Sequence, residues 1–280
     1  MKDSFLYEFG RVTYDLSKRT FVMGILNVTP DSFSDGGKFV NPDVALKHAI
    51  QMEKEGADFI DIGGQSTRPG SEEVPLDEEL RRVIPIIKEV VKNVRIPVSI
   101  DTYRSVVANT ALENGAVIVN DISGFDFDRA MPKVVASHNA TPIIMHMKGV
   151  PSNMQDNPSY EDLTGEITRF FEDAAWTANV EGIKQIIIDP GIGFGKTVEH
   201  NLQIIKHLSE FKKLDSPIMV GISRKSMIGI ILGIDDVNDR HEGTISLNTL
   251  ALANGANIIR VHDVKEGVRT ARIFDVYKKV

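Results

Sequence analysis

Phe21-Val22-Met23-Gly24-Ile25-Leu26 is a short apolar run, and it passes directly into Asn27-Val28-Thr29-Pro30-Asp31-Ser32-Phe33-Ser34-Asp35-Gly36-Gly37. The first part reads as a buried strand. The second is polar, carries two carboxylates and one aromatic ring, and ends on paired glycines. The next helical pattern begins only at Pro42, so the connection is about 14 residues long, where a strand-to-helix loop usually takes a few. Loops of that length are usually functional or disordered, and Phe33 amid polar neighbours suggests a flap that packs on something.

Outward from this run the same alternation continues. Strands are predicted at Phe21–Leu26, Phe59–Ile62, Pro97–Asp101, Val117–Asn120, Pro142–His146, Gln185–Asp189, Pro217–Gly221 and Asn257–Val261. Helical patterns lie between them at Pro42–Glu55, Leu76–Val94, Ser105–Asn114, Tyr160–Glu181 and His241–Asn254. Gly56, Gly115, Gly182 and Gly255 each stand between a helix and a strand, where helix C-caps belong. Eight strand–helix units in 280 residues predict an α/β fold, a (β/α)8 TIM barrel formed as one domain over residues 1–280. A doubly wound open sheet is the competing architecture. Phe5–Leu16, around Gly10-Arg11, reads as an N-terminal β-hairpin covering the barrel bottom.

Composition narrows the function. Hydrophobic residues make up 42% and charged residues 25%, as in ordinary globular chains, and the net charge of −7 argues against general affinity for nucleic acid or anionic membranes. There are no cysteines, so disulfides, thiolate metal sites and cysteine nucleophiles are excluded. The N-terminal residues carry charges where a secretory signal would be apolar, and no apolar run reaches membrane-span length, so the cytoplasm is the expected compartment.

In a barrel of this kind chemistry sits at the C-terminal strand ends. Here those ends carry Asn27, Asp61, Asp101, Asn120 with Asp121, His146, Asp189, Arg224 with Lys225, and Arg260 with His262. A single polar strand end can be a helix cap or a loop hydrogen bond, but eight together point to a shared site. Asp101, Asn120 and Asp189 form an acceptor set suited to the N–H edge of a flat heterocycle. Lys225, Arg260, His262 and, from the second loop, Arg68 form a cationic set suited to phosphate oxygens. The expected ligand is a nitrogen heterocycle bearing phosphate.

Other motifs carry less. Gly191-Ile192-Gly193-Phe194-Gly195-Lys196-Thr197 ends like a Walker A loop, but Pro190 occupies its first glycine position, and a glycine-dependent turn beside Asp189 is the better reading. No zinc pattern is present, which leaves room for a hard cation such as Mg²⁺ held by an oxygen ligand and substrate phosphates. His48, His138, His200 and His207 fall in helical segments and read as surface residues, Trp176 as core or interface, and Met145 as packing or a support for a flat ring.

Eight blocks, taken together, resemble the dihydropteroate synthase family along nearly the whole chain. The first two are Met23–Gly37 and Asp61-Ile62-Gly63-Gly64-Gln65-Ser66-Thr67-Arg68-Pro69-Gly70. The next three are Ser99-Ile100-Asp101-Thr102, Asn120-Asp121-Ile122-Ser123-Gly124 and Met145-His146-Met147-Lys148-Gly149. Asp189–Lys196, Ser223-Arg224-Lys225-Ser226 and Arg260-Val261-His262-Asp263 complete the set. Gln65 and Met227 depart from the family's commonest residues, Glu and Phe.

The resemblance implies a barrel enzyme that joins (7,8-dihydropterin-6-yl)methyl diphosphate to p-aminobenzoate, giving 7,8-dihydropteroate and pyrophosphate for folate biosynthesis. It implies pterin contacts from Asp101, Asn120, Met145, Asp189 and Lys225, and diphosphate contacts from Asn27, Arg68, Arg260 and His262. Asn27 would be the protein ligand to Mg²⁺, and Phe33, Thr67, Arg68, Pro69 and Ser226 would receive p-aminobenzoate. Asp35, Lys225, Arg260 and His262 would carry the catalysis, by an SN1-like path with Asp35 reaching in from the first loop. A homodimer through the late helices is also implied. A pterin-dependent methyltransferase would share the pterin pocket but lack the TPDSFSDGG and STRPG loops together, and a non-catalytic pterin-binding protein would need the acceptors without the loops and the anion site.

Overall fold

In the computed structural model, residues 4–29, 41–66, 70–71 and 73–280 are described. The hairpin is the first element: β1 (Leu6–Phe9) pairs antiparallel with β2 (Val12–Asp15) across Gly10 and Arg11. The barrel strands follow as β3 (Phe21–Asn27), β4 (Phe59–Gly63), β5 (Val98–Asp101), β6 (Ile118–Asp121), β7 (Thr141–Met145), β8 (Ile187–Asp189), β9 (Met219–Val220) and β10 (Ile258–Val261). All pair in parallel in the order β8-β7-β6-β5-β4-β3-β10-β9, and a parallel bridge between Ile188 and Ile218 joins the two ends. That bridge closes the sheet, which decides for the barrel over the open sheet.

The helices are α1 (Pro42–Glu55), α2 (Leu76–Asn93), α3 (Ser105–Glu113), α4 (Met131–Ser137), α5 (Leu163–Val180), α6 (Val198–Lys206), α7 (Ser226–Leu232), α8 (His241–Ala253) and α9 (Val264–Tyr277). Their ends follow local chemistry. Asn41 caps α1 by accepting the Asp43 N–H at 3.0 Å, Pro42 opens the helix, and Gly56 ends it at φ 101°. Thr197 and His200 form a capping box at α6.

The strands carry two cores with a two-residue period. One set of side chains, including Val22, Leu26, Ile60, Ile62, Ile100, Val119, Ile144 and Ile259, packs outward against the helices. The alternate set, Phe21, Met23, Phe59, Ile118, Ile143, Ile187, Met219 and Ile258, fills the barrel's lower interior together with Tyr7, Phe9 and Leu16 of the hairpin segment. The rings of Phe9 and Phe59 meet edge-on at 5.0 Å. The hairpin is therefore the barrel's floor, as its sequence predicts.

Candidate active site

Climbing each strand by two residues from that apolar floor leads to the site. Phe59 is followed by Asp61, Ser99 by Asp101, Ile118 by Asn120, Ile143 by Met145, Ile187 by Asp189 and Ile258 by Arg260 and His262. Asn27 holds the same parity on β3, and Ser223 and Lys225 continue it beyond β9. The inward face thus turns from apolar to polar at mid-height. The residues of opposite parity are structural. Asp121 accepts the N–H groups of Ser123 (2.8 Å) and Phe125 (2.9 Å), and Arg224 pairs two-pronged with Asp263 at 3.0 and 2.6 Å.

At the centre, Arg260 donates from Nε to Asp61 (2.7 Å) and from Nη2 to Asp101 (2.6 Å). Asn120 Nδ2 donates to the same Asp61 oxygen at 2.9 Å. Asp61 is fully buried within β4 rather than at its end, so it is a floor for the site and orients both neighbours. Its bond to the Asn120 amide nitrogen turns that side chain's carbonyl oxygen toward the remaining space. Asp61 shares the inward parity of Phe59, and that is the signal in the sequence for its place in the site. Among the described residues, Asp101 Oδ1 is buried without a hydrogen-bond partner. An unpaired buried carboxylate oxygen is costly unless a donor arrives. Burial pushes Asp101 above the usual carboxylate range, against the pull of Arg260.

Beside it, Asp189 Oδ1 accepts the Gly191 N–H at 2.8 Å, and burial raises this carboxyl while Lys225 opposes the shift. Lys225 donates from Nζ to the Ile192 carbonyl and lies over the Phe194 ring, 4.4 Å from its centre. Burial lowers the Lys225 ammonium to about 8, with Asp189 acting against the shift. Met145 is buried at the end of β7, in register with Asp189. His262 contacts the Ser223 hydroxyl through Nδ1 at 3.0 Å, and its backbone N–H donates to the same oxygen at 3.2 Å. Ser226 is exposed at the first position of α7.

The acceptors and cations are interleaved rather than set on opposite parts of the rim. Arg260 lies between two carboxylates and Lys225 beside a third, because a buried charge needs a neighbouring counter-charge. Arg260 Nη1 makes no hydrogen bond among the described residues and is its remaining donor group. Phe33, Asp35, Thr67, Arg68 and Pro69 lie outside the described residues. His146 is buried, and burial with nearby Lys196 and Lys148 pushes its imidazole down to about 2, so it is a neutral packing group. Trp176 is 68% exposed on α5, which removes the core reading of that residue.

The fold and these strand ends coincide with known proteins. The family model for pterin binding enzymes matches residues 23–262. A dihydropteroate synthase of Synechocystis sp. is 49% identical over 268 residues, 95% of this chain and 93% of its own length. The chain belongs to the dihydropteroate synthase family. The Bacillus subtilis dihydropteroate synthase is 44% identical over 260 residues, 92% of this chain and 88% of its own length. A crystal structure of the Yersinia pestis dihydropteroate synthase with a sulfonamide drug complex superposes at a TM-score of 0.93. It is 42% identical, with 99% of this chain and 100% of that chain covered. The Xanthomonas albilineans dihydropteroate synthase in complex with 7,8-dihydropteroate gives 0.87 at 37% identity, with 97% of each chain covered. The family accounts for the closed barrel, the floor hairpin and the polar strand ends in one stroke.

Proposed function

We propose that this chain condenses (7,8-dihydropterin-6-yl)methyl diphosphate with p-aminobenzoate, yielding 7,8-dihydropteroate and pyrophosphate. The observation that carries this reading is the unsatisfied Asp101 Oδ1, beside Asp61 with its own unpartnered Oδ1, in a buried cluster with Asn120, Asp189, Lys225 and Arg260. Three acceptors fit the N–H groups of a pterin, and the Lys225 ammonium fits its ring carbonyl and N5 edge. Met145 offers a flat apolar contact to the ring. Incubating the purified protein with pterin diphosphate, p-aminobenzoate and Mg²⁺ tests the reading: dihydropteroate and pyrophosphate should appear in equal amounts. Release of pyrophosphate without dihydropteroate, or no turnover, would remove it.

In this reading Arg260 Nη1 and His262 hold the diphosphate and stabilise charge growing on the departing oxygen. Cleavage of the C–O bond ahead of amine attack leaves a cation delocalised over the pterin, an SN1-like course. Asp35 stabilises that cation, and Phe33, Thr67, Arg68, Pro69 and Ser226 seat p-aminobenzoate over it. The arylamine is already nucleophilic, so the site needs no strong base.

Asn27 fits Mg²⁺. It ends β3 at an inward position, partly exposed, and its amide makes no hydrogen bond among the described residues. One neutral oxygen suits an ion that draws its other ligands from diphosphate and water. No cluster of three His, Cys, Asp or Glu among the described residues offers a separate cage. When bound, Mg²⁺ supplies charge neutralisation at the diphosphate. Asn27→Ala should raise the Mg²⁺ concentration for half-maximal activity at least about tenfold, the equivalent of about 1.4 kcal/mol. An unchanged Mg²⁺ titration would remove Asn27 from that role.

Asp189→Ala and Lys225→Ala should each weaken pterin binding by about 1–3 kcal/mol, or roughly 5- to 150-fold, because a buried partner is left unsatisfied. With Lys225 lowered to about 8, its proton is present below that pH and lost above it. Pterin KM in the wild type should therefore climb above about pH 8, and Lys225→Ala should abolish that limb. Near-normal pterin affinity in both variants would refute the assignment.

Leu250 on α8 and Ile273, Val276 and Tyr277 on α9 are all more than half exposed. Apolar groups left on packed late helices support a homodimer through this side. Sedimentation equilibrium should return twice the mass of the chain, and Ile273→Asp should return a monomer. A monomeric wild type at micromolar concentration would end the proposal. Among the described residues no helix is long and apolar enough to cross a membrane.

A further inference from the structure

Lys196 ends the glycine-rich run that resembled a phosphate loop, and it is buried to 2% exposure. Its Nζ faces four groups: the carbonyls of Phe194 (2.9 Å), Gly191 (3.0 Å) and His146 (3.2 Å), and His146 Nδ1 (3.0 Å). A lysine is seldom buried without a carboxylate partner. Here three backbone oxygens take that place, and they come from two different strand ends and the far side of the loop. The Nζ group is thus a hub that ties β7, β8 and the loop together, and burial holds it well below the usual lysine range.

The rest of the loop is held as tightly. Its five successive carbonyls, from residue 191 to 195, all accept donors. Gly191 and Phe194 accept Lys196, Ile192 accepts Lys225, Gly193 accepts Gln155 (2.6 Å) and Gly195 accepts the Tyr160 hydroxyl (2.8 Å). Of the two lysines that donate here, Lys196 is the more deeply buried. The loop in turn delivers three things to the pocket. The Gly191 N–H goes to Asp189, and the Ile192 carbonyl and Phe194 ring go to Lys225.

We propose that Lys196 is a positioning residue for the pterin half of the site: by gathering the carbonyls of His146, Gly191 and Phe194, it locks the loop that holds Lys225 against Asp189. The role rests on the pterin reading above. Among the described residues its donors go to the loop and to His146, and the loop's contacts with the site are to Asp189 and Lys225, so its loss should fall mainly on the pterin. The titratable groups facing Lys225 are Asp189, Arg260 and Lys196.

The test begins with the wild type, where formation of dihydropteroate secures the underlying reading independently. Lys196→Met keeps the chain length and removes every donor. It should raise the pterin diphosphate KM at least about tenfold, with kcat and the p-aminobenzoate KM within about twofold. The alkaline limb of pterin KM should move up by about one pH unit, because a loosened loop hydrates Lys225. Phe194→Leu, which leaves Lys196 in place, should raise pterin KM by a smaller factor. The double variant should be no worse than Lys196→Met alone, since both act through the placing of Lys225. A wild-type pterin KM in Lys196→Met, an equal loss on both substrates, or simple addition of the two effects would overturn the proposal. If Lys196→Met does not fold, Lys196→Gln, too short to reach all three carbonyls, decides: a pterin KM within about twofold of wild type overturns it and a raised one supports it.

Discussion

Asp61→Ala should lower folding stability by about 3–5 kcal/mol, the usual cost of stripping one partner from a buried ion pair. The carboxylate is fully buried, and a single oxygen accepts from both Arg260 Nε and Asn120 Nδ2. Alanine would leave a guanidinium facing only Asp101 and an amide free to turn over. Stability and binding should therefore fail together. Urea unfolding should show the midpoint displaced with little change in slope, and pterin binding should be lost even where the protein remains folded. Asp61→Asn keeps one acceptor and should fall between. A loss below about 1 kcal/mol in Asp61→Ala would mean that Arg260 finds its balance elsewhere.

Gly191→Ala should have an effect of similar size by another route. Gly191 has φ 69°, and a Cβ there would stand 1.9 Å from the His146 carbonyl oxygen. Left-handed backbone alone costs a non-glycine residue roughly 1–2 kcal/mol. The overlap adds more, because the oxygen it meets is backbone and cannot swing aside. Relief requires the loop to lift, which breaks the Gly191 N–H bond to Asp189 and the carbonyl contact with Lys196. Gly182 supplies the control, since it has φ 81° and nothing within 4 Å of its added Cβ. Gly182→Ala should cost only the backbone term and leave pterin KM unchanged. Equal stability losses in the two variants would show that the close approach at Gly191 is absorbed locally.

Much of this architecture was legible because it is local. Short β-branched runs, capped helices and the Gly10-Arg11 turn specify elements whose ends fall within a few residues of expectation. The Asp101, Asn120, Asp189, Lys225 and Arg260 group was legible because polar residues at strand ends have one common destination in a barrel. What stayed hidden depends on contacts across the chain. Counting alone set Asn120 and Asp121 side by side, although one faces inward and the other fastens a turn. The two-residue period separates them once the apolar floor supplies the phase. The pairing of Arg260 with Asp61, 199 positions earlier, leaves no local pattern. Nor does Lys196 announce its role, since its acceptors are backbone carbonyls, which every residue possesses.

The hairpin floor also governs traffic. With Tyr7, Phe9 and Leu16 packed against the lowest inward side chains, the barrel is stopped at its lower end among the described residues. The groups proposed to hold the pterin lie on inward strand positions just above that floor, whereas Ser226 is exposed at the start of α7. Two ligands stacked in such a well must queue: the deeper one enters first, and the shallower one blocks its retreat. For the proposed pair of substrates, a closed floor asks for the pterin first and p-aminobenzoate second.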